Sequence, residues 1–220
     1  MKPTLEVSGL SIVRNGRPVL DGISFSLAEG ECAGLAGPNG AGKSTLLWCI
    51  LGLHRCQGRI VKPGATAAVF QNPEDQLFMP TLLDDLMLPL LCAGQDRSRA
   101  RAAAMEALSQ FEMDSLAQVP ASALSLGQRK RAALALALVR SPKLLLLDEP
   151  TAELDPRSAR LFAATLESSK ATRLVASHDL LFLRRTCSRL IILDQGRIRA
   201  DGPAQDLLGD HALLEGHGLI

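Results

Sequence analysis

The sequence predicts an α/β fold with a mostly parallel sheet and an inserted helical lobe. Three observations carry that expectation. Short β-like apolar runs alternate with helical stretches along the chain, the order in which parallel sheets are built. One run, "KLLLL" at Lys143–Leu147, is apolar at every position from Leu144, as in a strand covered on both faces, and it ends in Asp148-Glu149-Pro150. From Asn72 to about Ala135 the pattern is mainly helical and Ala-rich, with Pro80, Pro89 and Pro120 as expected breaks.

Taken in order, the elements start from "MKPTLEVSGL", which has no apolar signal-peptide core. Strand-like runs follow at Glu31–Ala36, Ala67–Phe70, Lys143–Leu147, Arg173–Ala176 and Leu190–Leu193. Carboxylates directly after Leu147 lie where open α/β sheets place their ligands, beyond the strand ends. The segment 72–135 reads as an insertion into the sheet domain. In the tail "DHALLEGHGLI", His211 and His217 read as exposed polar surface rather than metal ligands.

Composition excludes several classes. With 47% hydrophobic and 21% charged residues over 220 positions, the chain is expected to bury a substantial core. A formal charge of +1 supplies no basic field for nucleic acid. The clusters Arg97/Arg99/Arg101 and Arg129/Lys130/Arg131 read mainly as solvated faces. Five cysteines lack any C-x-x-C spacing, which argues against a disulfide framework or a zinc site and for a reducing compartment. No apolar run approaches the ~18 residues of a spanning helix, so membrane work would go through a partner.

Gly37-Pro38-Asn39-Gly40-Ala41-Gly42-Lys43-Ser44 matches G-x-x-x-x-G-K-[ST], between strand-like "ECAGLA" and helix-like "STLLWCIL". Glycines let backbone amides approach phosphate oxygens, and the helix after them presents its positive end. Lys43 would neutralise the β- and γ-phosphates, and Ser44 would offer its hydroxyl to Mg²⁺. Asp148 would hold the same cation, directly or through water. Glu149, one residue on, would accept a proton from, or orient, a water in line with the γ-phosphate.

A second stretch, "LSLGQRKR" at Leu124–Arg131, also suits an anion. Ser125 and Gln128 form a capping box that needs no ligand. Gly127 in the first helical turn and three cations at the helix's positive end are left over, and an anion there would relieve both.

"GPNGAGKS", "LSLGQ", "LLLLDEP" and "ASHD", in that order, resemble the nucleotide-binding subunit of an ABC transporter over Leu5 to Gly202. The resemblance implies a P-loop NTPase (RecA-like) core with a mostly parallel sheet, an N-terminal antiparallel β portion and an inserted helical lobe. It implies one ABC ATPase domain, 1–220, with 72–135 its helical subdomain. ATP and Mg²⁺ are the implied cofactors, bound by Gly37–Ser44 with Thr45. LSLGQ would be the signature motif, so Ser125, Gly127 and Gln128 of one copy would close over ATP held by another. Gln71 would be the glutamine that senses Mg²⁺ and the attacking water; Asp155, in "TAELD", would reach across the dimer; His178 would hydrogen-bond the γ-phosphate. Arg14 stands where the family most often places an adenine-stacking Tyr, in a chain with no Tyr, and its guanidinium could stack on the base. The short interval from Ser44 to Gln71 implies trimmed strands.

Within the family, "VFQNPEDQLF" (Val69–Phe78) is similar to ATPase subunits of energy-coupling-factor importers, cobalt and nickel types included. The implied subunit dimerises around MgATP, with itself or a relative, at the cytoplasmic face of the inner membrane. It would power import of cobalt, nickel or a vitamin through a membrane subunit docked on the helical lobe, where Leu77, Phe78 and Met79 would meet a partner helix. The alternative is a soluble ABC ATPase in DNA repair, translation or cofactor assembly. A non-hydrolysing binding module fits less well with Lys43, Asp148, Glu149 and His178 all in place. A GTPase would need an Asn-Lys-x-Asp guanine reader, which the sequence lacks.

Overall fold

The computed structural model describes residues 3–220; Met1 and Lys2, which open the segment read for a signal peptide, lie outside the described residues. The chain divides into two compact units. The first comprises 1–68, 143–150 and 170–220, and the second 69–142 with 151–169.

In the first unit, β1 (Leu5–Arg14), β2 (Arg17–Leu27) and β4 (Gln57–Val61) form an antiparallel sheet in the order β2-β1-β4. Alternation explains it: Leu5, Val7, Leu10 and Ile12 of β1 and Ile23, Phe25 and Leu27 of β2 are buried. The second sheet contains β3 (Cys32–Ala36), β5 (Thr66–Val69), β6 (Leu144–Asp148), β7 (Thr172–Ala176), β8 (Arg189–Asp194) and β9 (Arg197–Pro203), in the order β5-β6-β7-β3-β8-β9. Strands β6, β7, β3 and β8 pair in parallel, and β9 closes the edge antiparallel. Every residue of β3 and β6 is buried, as two covered faces require. Helix α1 (Lys43–Leu51) follows β3 and buries Leu46, Leu47 and Ile50 in a core shared with Leu144, Leu146, Ile191 and Leu193. The interval from Ser44 to Gln71 holds α1 and two short strands, β4 and β5.

The second unit is helical. Helix α2 (Leu82–Cys92) is capped by Thr81, α3 (Arg97–Gln110) by Asp96, α4 (Leu126–Leu138) by Ser125 and α5 (Pro156–Ser168) by Asp155. The segment 72–135 falls inside this unit, which also takes in α5. Pro89 does not break the chain as expected: it sits inside α2, within a turn of the C-terminal end, and its carbonyl accepts from Ala93 N. A helix about to end loses little by forfeiting one ring-blocked hydrogen bond. Returning to the first unit, α6 (Leu180–Thr186) follows β7, and α7 (Ala204–Gly209) and α8 (His211–Gly216) close the chain. Among the described residues no helix is long and apolar enough to cross a membrane.

Candidate nucleotide site

The phosphate loop joins β3 to α1 in a conformation its glycines permit. Gly40 and Gly42 have φ of 81° and 107°. A Cβ on Gly37 would meet the Leu193 carbonyl oxygen at 2.1 Å, so that position admits glycine alone. Gly42 caps α1 without a side-chain bond, and no acidic residue occupies the first helical turn. The first amides of α1 are therefore left without a side-chain cap, which suits an anion. Lys43 is buried, and its ammonium donates to the carbonyls of Gly37 at 2.7 Å and Pro38 at 3.2 Å. Burial lowers its pKa, against the pull of Glu149 and Asp148.

Asp148 ends β6, buried, with the Ser44 hydroxyl hydrogen-bonded to its carboxylate. Burial raises its pKa, and Glu149 adds to the rise, while Ser44 and Lys43 oppose it. Its Oδ1 is buried with no hydrogen-bond partner among the described residues. A carboxylate oxygen left in that state beside a hydroxyl is the pair of hard oxygen donors that Mg²⁺ takes. Here the residues fit the metal.

Glu149 is joined to His178, a contact the sequence did not foretell. Glu149 has φ 45°, a left-handed backbone rare for a side chain of that size, and its N–H donates to Ala176 O at 2.9 Å. The carboxylate accepts from His178 N at 3.1 Å and from Ser177 Oγ at 3.3 Å, and it lies 2.8 Å from His178 Nδ1. The carboxylate is buried and the imidazole mostly exposed, 9% against 64%. The bent backbone after β6 thus turns Glu149 back onto the end of β7, where His178 follows Ser177. Such a pair can hold a water's proton and fix which imidazole nitrogen faces outward.

Arg14, at the end of β1, is engaged by His54 Nε2, and His54 meets the Trp48 ring edge-on. The guanidinium is therefore held in place by a ring nitrogen that accepts. Thr45 is half-buried in the first turn of α1.

The second unit carries the remaining candidates. Gln71 is exposed just past β5. The capping box at Ser125 forms as expected: Gln128 N donates to Ser125 Oγ at 3.3 Å, and Ser125 N to Gln128 Oε1 at 2.8 Å. Asp155 caps α5 through Arg157 N and Ser158 N, and accepts from Ser158 Oγ at 2.6 Å.

Several expectations are corrected here. A Cβ on Gly127 would come within 3.0 Å of Ser158 Oγ on α5, a tight approach that the hydroxyl would have to relieve. The three cations are also individually occupied. Arg129 lies 3.4 Å from Glu74, Lys130 is buried and donates to Ala152 O at 2.6 Å, and Arg131 donates to Phe111 O at 3.3 Å. Lys130 is thus no part of a solvated face. Leu77 is buried; of the three apolar residues in its run Phe78 is exposed, at 69%. His217 is half-buried against Asp194, 3.0 Å from its carboxylate, rather than exposed.

A family model described as ABC transporter matches residues 20–152, more than half of the chain. The chain belongs to the ABC transporter family. An ABC transporter ATP-binding protein of Gloeobacter violaceus is 41% identical, covering 93% of this chain and 91% of its own. The nickel import ATP-binding protein NikO of Rhodobacter capsulatus is 37% identical, with 97% and 94% covered. Among solved structures, cbiO1 of Clostridium perfringens, part of the transporter complex cbiONQ, superposes with a TM-score of 0.83 at 28% identity, covering 100% of this chain and 96% of that one. A nucleotide-free ATP-binding cassette at 24% identity shares the fold, with a TM-score of 0.85. The chain is therefore an ABC-type ATPase subunit of a transporter, using ATP and Mg²⁺.

Proposed function

We propose that this ABC ATPase dimerises around MgATP and powers substrate import through a membrane partner, as the ATPase of an energy-coupling-factor importer for cobalt, nickel or a vitamin. The hydrogen-bonded Glu149–His178 pair, in one unit with Lys43 and Asp148, carries the hydrolytic part of this reading. The likeness to NikO and to cbiO1 supports the importer class.

In this reading the amides of Gly37–Ser44 and the first turn of α1 bind the phosphates, while Lys43 exchanges its two carbonyl partners for phosphate oxygens. Ser44 and Asp148 would hold Mg²⁺, with Gln71 as a further ligand, and the metal would supply neutralisation of phosphate charge. Glu149 orients the attacking water, and His178 contacts the γ-phosphate while fixing the Glu149 carboxylate. Arg14 lies against the base. Ser125, Gly127, Gln128 and Asp155 act on the nucleotide of the second copy. The domain is a single ABC ATPase, with 72–135 its helical lobe, and Phe78 faces the membrane subunit.

Glu149→Gln tests the mechanism. The variant is expected to lose at least about 100-fold in phosphate release while equilibrium binding of ATP persists. Unchanged turnover would remove Glu149 from the chemistry.

A further inference from the structure

Away from the phosphate loop, the chain brings together two thiols that ATP hydrolysis does not use. Cys32 opens β3 and Cys187 directly follows α6, 155 residues later, yet their sulfurs lie 3.5 Å apart and both residues are buried. One thiol must donate to the other. Arg173 stands opposite Cys32 in the parallel pairing of β3 with β7, and its guanidinium favours negative charge on Cys32. The Cys187 S–H bond and Arg173 hold the Cys32 thiol below its usual range, whereas donating to Cys32, together with burial, pushes Cys187 up. These directions favour Cys32 as the attacking sulfur and Cys187 as the resolving one, the division of labour in a redox thiol pair. The sulfurs, 3.5 Å apart, are about 1.5 Å further apart than in a disulfide, so forming the bond requires them to close that gap.

We propose that Cys32 and Cys187 form a reversible, peroxide-sensitive modification site, whose oxidation joins the start of β3 to the end of α6. The Cys32 thiolate attacks one peroxide oxygen and the O–O bond breaks. Cys32 becomes a sulfenic acid, and the departing hydroxide takes a proton to leave as water. Cys187 then gives up its proton and attacks the sulfenic sulfur. The S–O bond breaks, a second water leaves and the disulfide remains. Each sulfur has lost one electron, and the peroxide has gained two. A dithiol reduces the bond again. Cys32 is at the end of β3 remote from the phosphate loop, so the link leaves Gly37–Ser44 in place. It ties the strand that leads into that loop to the helix that follows His178. Closing a loop of this length restricts the unfolded chain more than the folded one, so the oxidised protein resists heat better.

The test uses the full chain carrying Cys92→Ser, which removes the exposed thiol and leaves four. Reduced protein is treated with a few equivalents of hydrogen peroxide, alkylated, digested and mapped by mass spectrometry, with Tm measured in parallel. The expected result is a fall from four free thiols to two and a linked Cys32–Cys187 peptide. Tm should rise by about 5 °C or more, and dithiothreitol should reverse both changes. Adding Cys187→Ser should abolish the link and the Tm gain. The peptide map of the protein with both thiols stands even if that variant folds poorly. Oxidation confined to Cys49 and Cys56, a sulfinic acid at Cys32, or four thiols surviving treatment would each overturn the proposal. None of these readouts depends on ATP, so failure here leaves the transport reading untouched.

Discussion

At the scale of the residue, the site holds two buried charged groups whose burial outweighs their attraction. Asp148 is pushed up and Lys43 down from their ordinary values although each favours the other's charge. For Asp148 the direction gives a testable sign. Below about pH 4, where an unfolded Asp also keeps its proton, the residue contributes no penalty. As pH rises, the unfolded chain releases this proton first and stability falls, until the folded carboxyl ionises too; above that point the cost is constant. Asp148→Asn is therefore expected to raise the nucleotide-free Tm at pH 7, with the gain vanishing in thermal melts near pH 3, while ATP hydrolysis is lost. A lower Tm at pH 7 would mean that Lys43 and Ser44 stabilise the charge more than burial opposes it. Much at this scale was legible. The candidate phosphate loop and the carboxylates at the end of β6 could be read from spacing alone, because they are consecutive residues. The Glu149–His178 contact could not, since it needs the left-handed turn at Glu149 and the pairing of β6 with β7.

At the scale of the element, the turn before α2 depends on one buried carboxylate. Asp85 Oδ1 accepts from Phe78 N and Met79 N, both at 3.0 Å, and Oδ2 is buried with no partner among the described residues. Burial raises its pKa despite those two bonds. Asp85→Ala leaves two amides unsatisfied and is expected to cost about 1–3 kcal/mol in denaturant unfolding. Asp85→Asn keeps the acceptor and removes the buried charge, so most of that loss should be restored. Equal losses in both variants would show that the charge, not the acceptor, holds the turn. Nothing in "QLFMPTLLDD" announces this, because Asp85 looks like one of two acidic residues in a helix's first turn. Helix α4 teaches the converse. Its capping box was readable because both partners lie within three residues. The neighbour that Gly127 faces was not, since Ser158 is on another helix.

At the scale of the whole molecule, ligand binding should appear as stability. Saturating MgATP, at about 100 times Kd, is expected to raise the Tm of Glu149→Gln by roughly 5–10 °C, and EDTA should remove most of the shift. In light scattering the same variant should become dimeric with MgATP. Adding Ser125→Ala should hold it monomeric while ATP still binds. Ser125 is the better probe, because a side chain at Gly127 would also crowd Ser158 on α5. Persistent ATP-dependent dimers in the Ser125 variant would contradict the composite-site reading.

The sequence by itself determined the α/β class, the candidate phosphate loop, the metal-binding candidates and the order of motifs that marks the family. These are local in the chain: period, spacing and consecutive residues set strand, turn and helix start without long-range information. Only the tertiary structure decided that Lys130 is buried, that Glu149 meets His178, and that Cys32 meets Cys187. Each depends on groups brought together from distant positions, where burial and a single close contact outweigh what the residue's neighbours in sequence suggest.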